Sequence, residues 1–415
     1  MVEYQSFTLD NGLQVYVHED NSVSTAVLNV LYDVGSRDES DDKTGFAHLF
    51  EHLMFGGSVN IPNYDEPLQK VGGDNNAFTS PDITNYYITL PANNIETAFW
   101  LESDRMLSLS FDPKVLEVQR SVVIEEFKQQ YLNQPYGDVW LKLRPLAYKE
   151  HPYSWPTIGK EISHIEEAEM SDVKAFFKKF YCPNNAIMVV AGNITIDQVK
   201  VLSEKWFAPI PMGTPYSREL PKEPVQQERS FLEIEDDVPT DALYMTFHMP
   251  GRFDENYLAV DLMGDMLGRG KSSRLHDQLV NRERIFNSIG AYVTGSLDPG
   301  LFVISGKLVQ GVTLKQAEKR VWAVISDFIT NGFDIEELSK VKNKAESTLV
   351  FSEVDLLSRA MNLAFAAVAG KPDYFNNEPA LIQAVEADDI VKQAQNILTA
   401  ENVSVLYYKS NNNEN

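Results

Sequence analysis

The segment K-T-G-F-A-H-L-F-E-H-L-M-F-G-G, Lys43 to Gly57, places two histidines and a glutamate inside one short apolar stretch with helical spacing. His48 and His52 are four residues apart, so on a helix they stand on one face, and Glu51, three after His48, shares it. Two imidazoles at i and i+4 can reach one metal ion. A glutamate adjacent in sequence to the second histidine is badly placed to ligate with them and can instead touch a water held by the metal. H-x-x-E-H is also a hydrolase signature, the inverse of H-E-x-x-H. The opposing interpretation is two core histidines with hydrogen-bonded rings among Phe46, Leu49, Phe50, Leu53, Met54 and Phe55. It suits an isolated histidine but gives no reason for the paired spacing or for the glutamate.

At 415 residues and 43% hydrophobic content, the chain has room for two or three domains with full cores. Its net charge of −24 opposes binding to a phosphate backbone or an anionic lipid surface, so neither nucleic acid nor membrane is an expected partner. The single cysteine, Cys182, excludes an internal disulfide framework and a thiolate zinc site. No run of 18 apolar residues occurs, and M-V-E-Y-Q-S-F leads into strand-like sequence without a basic start. A cytoplasmic location is expected on this ground, with the periplasm as the alternative if a signal peptide was removed.

Outward from the metal-site helix, Ser6–Leu9 and Leu13–His18 alternate around Asp10-Asn11-Gly12, a hairpin signal, and Thr25–Val34 is an apolar strand. A short helix is predicted from Asn63 to Val71, then two strands across Asp74–Leu90 turning at Ser80-Pro81-Asp82. Helices follow at about 92–109, 113–131, 137–148 and 171–181, then a strand at Asn185–Val190 and a helix at about 195–207. Five prolines between 209 and 224 suit a semi-rigid connector. Beyond it the order recurs: strands at 231–235 and 242–249, helices at 254–267 and 271–283, strands at 286–295 and 301–308, helices at 312–330, 335–369 and 387–398, and a strand at 403–407.

The two halves read as one plan used twice. This predicts a metal-binding domain over 1–208, a proline-rich linker over 209–229 and a homologous metal-free domain over 230–415. Strands and helices come in runs, which argues an α+β fold with an antiparallel or mixed sheet covered by helices on one face. In the second copy the matching segment, L-A-V-D-L-M-G-D-M-L-G, has no histidine. The glycine-rich string G-D-M-L-G-R-G-K-S at 264–272 misses the phosphate-loop pattern, because Asp265 stands five before Gly270.

A catalytic zinc normally has three protein ligands, so a third is required elsewhere. His18, His151, His164, His248 and His276 offer no second pair at metal spacing. In L-E-V-Q-R-S-V-V-I-E-E-F, Glu126 falls on the helix face of Val115, Val122 and Val123, while Glu125 points to the side. A carboxylate on an apolar face is costly unless a cation meets it. The alternative is a boundary glutamate reaching water.

Together, H-L-F-E-H-L-M-F-G-G, the downstream N-N-A-F-T-S and Q-R-S-V-V-I-E-E-F resemble the pitrilysin/insulinase family of inverzincin metallopeptidases, in particular its short bacterial members similar to mitochondrial processing peptidase subunits. The resemblance covers essentially the whole chain. It implies one zinc ion per chain held by His48, His52 and Glu126, with Glu51 as general base, and two homologous domains. It also implies that Asn75–Thr79 lines the cleft and that substrate adds there as a strand. Asn76, Ala77, Phe78 and Thr79 become substrate-binding candidates, although an ordinary hairpin would read the same way. The implied activity is zinc-dependent endopeptidase action on peptides or small unfolded polypeptides.

Two departures from the family pattern stand out. Gln119 occupies the place, seven before Glu126, where many members carry a second glutamate, and an amide there can hold a hydrogen bond without adding charge. Val280 and Asn287 fall where active single-chain members have an arginine and a tyrosine. A related metal-free subunit supplying that pair is therefore an expected partner, with a homodimer as the competing arrangement. A non-catalytic assembly or peptide-binding subunit of the same fold is the alternative function. The intact H-x-x-E-H argues against it.

Overall fold

The structure is a computed structural model that describes residues 2–411. Its strands are β1 (Gln5–Thr8), β2 (Gln14–Glu19), β3 (Thr25–Tyr32), β4 (Asp74–Thr79), β5 (Thr84–Pro91), β6 (Ala186–Gly192), β7 (Ser230–Asp236), β8 (Ala242–Met249), β9 (Phe286–Val293), β10 (Gly300–Leu308) and β11 (Val403–Ser410). Its helices are α1 (Phe46–Leu53), α2 (Asp65–Lys70), α3 (Ile95–Leu107), α4 (Pro113–Phe127), α5 (Val139–Ala147), α6 (Ser163–Glu166), α7 (Met170–Phe180), α8 (Ile196–Trp206), α9 (Tyr257–Leu267), α10 (Leu314–Asn331), α11 (Ile335–Ser352), α12 (Leu356–Val368), α13 (Tyr374–Ala384) and α14 (Ala387–Ile397).

Two compact units form. One comprises Met1–Gln129, Trp155–Pro221 and Val350–Asn377; the other comprises Gln130–Ser154, Lys222–Leu349 and Glu378–Asn415. The first contains a six-stranded sheet in the order β1-β2-β6-β3-β5-β4, the second a five-stranded sheet in the order β7-β11-β8-β10-β9. The β2–β6 and β7–β11 pairs are parallel and the other pairs antiparallel. Dropping β1, the two orders and orientations correspond strand for strand, which is the repeat read from the sequence. Both units are α+β, with mixed sheets covered by helices.

The packing divides the chain differently from the repeat boundaries at 208 and 230. In the first unit, α12 from the second half lays Leu356, Ala360, Leu363 and Ala364 against Val27, Leu31, Val189 and Ala191. In the second, α5 from the first half lays Val139 and Leu143 against Ala242, Leu406 and Tyr408. β3 and β6 are buried along nearly their whole length, so both faces of the sheet need cover, and one repeat alone supplies it on one face. Within 209–229 no regular element forms. Arg218 is pinned by Asp38 at 2.7 Å and Asp33 at 2.9 Å, and Glu223 accepts the N–H groups of Lys149, Glu150 and His151 at 2.8, 3.0 and 2.9 Å.

The single helix expected over 335–369 is two, because Asp355 caps α12 by accepting the Ser358 N–H at 2.9 Å and so ends the helical run before it. The helix expected at 271–283 is a shorter π-type turn, His276–Arg282. α13, which contains Pro379, has no counterpart among the predicted elements.

Near the end of α3, Glu102 and Arg105 are fully buried as a bidentate pair at 2.5 and 2.8 Å. The guanidinium carbon lies 4.6 Å from the Tyr64 ring centroid and 4.4 Å from that of Tyr86, and the Tyr64 hydroxyl donates to Glu102 at 2.6 Å. A pair this dry is stable only while both members are present. Arg105→Met is expected to cost about 3–5 kcal/mol in denaturant unfolding by stranding Glu102, and adding Glu102→Leu should recover most of the loss.

Candidate metal centre

α1 buries Phe46, Ala47, Leu49, Phe50 and Leu53, with Phe50 packed 4.4 Å from Tyr181 and 5.4 Å from Phe176. The opposite face carries the half-buried His48, Glu51 and His52. The helix opens at Gly45, whose φ of 87° is left-handed and whose missing Cβ would meet the Ile158 carbonyl at 2.6 Å. Glycine has no capping side chain. Glu39 supplies the acceptor instead, receiving the Gly45 and Ala47 N–H groups at 2.9 and 2.7 Å and the Trp155 indole N–H at 3.1 Å. Burial pushes its carboxyl up to about 8, against the pull of these three donors.

α4 packs on α1 and brings Glu126 to the histidines. Its Oε2 stands 3.7 Å from His48 Nε2 and 3.5 Å from His52 Nε2. The imidazole rings are perpendicular with centroids 4.9 Å apart. One ligand atom from each of the three residues lies within 4.8 Å of the others, and no second such group occurs among the described residues. Donors about 2.0–2.2 Å from a zinc ion at tetrahedral angles stand roughly 3.3–3.5 Å apart, so the set fits that metal after small rotations. Two nitrogens and one oxygen also suit it chemically, and three protein donors leave a position open.

The electrostatics differ between the two histidines. Burial drives His48 down to about 4, so it is neutral and its Nε2 lone pair is free to ligate; its buried Nδ1 has no hydrogen-bond partner among the described residues. Burial acts the same way on His52, but hydrogen bonds to Glu126 and Gln119 and the Glu51 charge outweigh it and raise its pKa. Gln119 therefore touches the site through the second histidine. Glu51 is raised mainly by burial, and the hydrogen bond from Thr79 and the charge on His52 oppose this.

Thr79 Oγ1 donates to Glu51 Oε2 at 2.5 Å. Alternation along β4 turns Ala77 and Thr79 to one side and the exposed Asn76 and Phe78 to the other. β4 is the outermost strand of its sheet, and the Ala77 N–H is met by the Asn76 side-chain oxygen at 2.8 Å. Of the substrate-binding candidates, only Thr79 contacts the carboxylate next to the histidines in this state. Glu125 is exposed and pairs with Lys128, and Val122 is exposed rather than buried. In the second unit Val280 packs against the core, and the Asn287 amide donates to the Leu308 carbonyl at 2.7 Å, so both places serve the fold.

Sequence reading passed over Glu39, Trp155 and the Thr79–Glu51 contact. A signal for the first existed: a helix preceded by glycine leaves its leading N–H groups unanswered, and the acidic run before it holds the answer. Glu39→Ala is expected to lower stability by about 1–3 kcal/mol for the stranded donors, read by thermal melting of the metal-free protein.

Two family models match the chain. One described as insulinase (peptidase family M16) matches residues 14–160, and one described as peptidase M16 inactive domain matches residues 168–345. A Helicobacter pylori protein named zinc protease PqqE is 31% identical over 350 residues, 82% of this chain and 78% of that protein. An Arabidopsis thaliana protein named probable mitochondrial-processing peptidase subunit beta is 27% identical over 71% of this chain and 57% of its own length. Among solved structures, a protease from Helicobacter pylori superposes with a TM-score of 0.92 at 26% identity, covering 99% of this chain and all of that one. With both halves matched by the family's own models and a relative above three-tenths identity along most of its length, this chain belongs to peptidase family M16, the insulinase family.

Proposed function

We propose that the chain is a zinc-dependent endopeptidase acting on extended peptides or small unfolded polypeptides, with His48, His52 and Glu126 as metal ligands and Glu51 as general base. The observation that carries this is the convergence of His48, His52 and Glu126, with Glu51 between the histidines and hydrogen-bonded to the open edge strand. When bound, a zinc ion supplies a Lewis acid that acidifies water and polarises a carbonyl oxygen. Glu51 takes the proton of the attacking water and returns it to the leaving amide nitrogen. Thr79 holds one carboxylate oxygen so that the other faces the reacting atoms, and Gln119 steadies His52. Backbone groups of β4 receive the peptide as an added strand, with the Asn76 side chain moving off the Ala77 N–H, and Phe78 contributes an apolar contact.

The absence of arginine and tyrosine at positions 280 and 287 favours a dimer in which a related metal-free subunit provides those groups; a homodimer that works without them is the competing arrangement. The test is zinc content and cleavage of a quenched, unstructured basic peptide by the purified chain. Glu51→Gln is expected to keep about one zinc per chain while turnover falls by roughly 10²–10⁴-fold. Zinc without cleavage in the unaltered chain would transfer the activity to a complex with a partner. Absence of zinc would end the peptidase assignment.

Two further outcomes follow from the same site. Thr79→Val should lower turnover by about 10–100-fold at unchanged zinc content, with Thr79→Ser restoring most of it. His52 ligates only when neutral, so protons compete with zinc for this ring and zinc is expected to be held at neutral pH and lost progressively as the solution is made acidic. Zinc retention measured by dialysis across that range checks the sign.

A further inference from the structure

A second feature lies in the other unit, apart from the metal ligands. Beside the edge strand β7 and the first turns of α10 is an open cleft of about 640 Å³. Its floor is Glu318, a buried carboxylate that accepts the Tyr407 hydroxyl at 2.5 Å, the Arg229 guanidinium at 2.9 Å and the Trp322 indole N–H at 3.1 Å. Its walls are aromatic. Phe231 is 47% exposed, meets Tyr407 edge-on at 4.9 Å and carries the Arg229 guanidinium 5.1 Å from its ring centroid. Its rim carries Lys315 and Lys319, one helical turn apart on α10, exposed and with no ion pair or hydrogen bond among the described residues.

Three cations thus surround one carboxylate in a chain whose net charge is −24. Glu318 already accepts from three donors, and Lys315 and Lys319, which make no ion pair among the described residues, are open to a group from outside the fold. A large phenylalanine held half-exposed beside a stacked guanidinium is not explained by the core, which lies beneath Tyr407. Aromatic faces beside exposed lysines suit a planar ring that carries an anionic group. A long acidic peptide fits less well, because β7 continues as Glu233, Glu235 and Asp236, whose charges would repel it along the same edge.

We propose that this cleft binds a small aromatic anion, with its ring against Phe231 and Trp322 and its phosphate or carboxylate on Lys315, Lys319 and Arg229. Glu318 acts as the positioning residue that holds Arg229, Trp322 and Tyr407 in place. Because the cleft shares no residue with the metal centre, the proposal is independent of the peptidase assignment.

The test is isothermal titration of the full chain with 1-naphthyl phosphate, and with 1-naphthol and inorganic phosphate as its two halves. Saturable binding of the whole probe, with each half weaker by about tenfold or more, is expected. Lys315→Gln with Lys319→Gln should weaken the whole probe by about tenfold or more, and raising the salt should do the same. Phe231→Ala should reduce the whole probe to the level of inorganic phosphate. All three positions are exposed, so folding is preserved and is checked by circular dichroism. No saturable binding, or binding unchanged in the double lysine variant, overturns the proposal. So does binding of an acidic peptide where naphthyl phosphate fails, which would make the cleft a peptide site.

Discussion

The close approach of one carboxylate to two imidazoles is the constraint on which the first unit is organised. Glu126 is 74 residues beyond His52 (126 − 52), yet its oxygen must stay within 3.5–3.7 Å of both rings. No local contact can do that. It requires α4 to be seated on α1, α1 to be held at its start by Glu39 and at its side by Phe50 against Tyr181 and Phe176, and the end of α3 to be locked by the Glu102–Arg105 pair. Each support is buried, and burial is what makes each one costly to lose.

The same burial sets the chemistry. His48 is kept neutral by the apolar surroundings that α1 needs for packing, and Glu51 is raised by them, while Glu126 and Gln119 act on His52 in the opposite direction. The Thr79 hydroxyl links this centre to the sheet edge. The edge strand β4 is therefore the strand that orients the Glu51 carboxylate.

The repeat carries different side chains on one frame. The sheet order β7-β11-β8-β10-β9 reproduces β2-β6-β3-β5-β4, while the helix over 257–267 has apolar and acidic residues where α1 has its histidines. The second unit uses its polar side chains differently, as in the buried Glu318 that gathers an arginine, a tyrosine and a tryptophan around the cleft at β7.

Much of this was legible in the sequence because it depends on short-range periodicity. The i, i+4 histidines with their glutamate, the hairpin at Asp10-Asn11-Gly12, the proline-rich stretch and the twofold order of elements all lie within one helix turn, one turn type or one run of elements. The position of Glu126 on a helix was legible too, although the apolar face that nominated it is only partly buried. Tertiary structure alone decided which half covers which sheet, because α5 and α12 are ordinary amphipathic helices whose sequences do not say where they dock. It alone made Glu39 a substitute cap and Thr79 a partner of Glu51. Those contacts span 6 to 28 residues between side chains whose own neighbourhoods carry no periodic signal, and only the packed backbone brings them into hydrogen-bonding range.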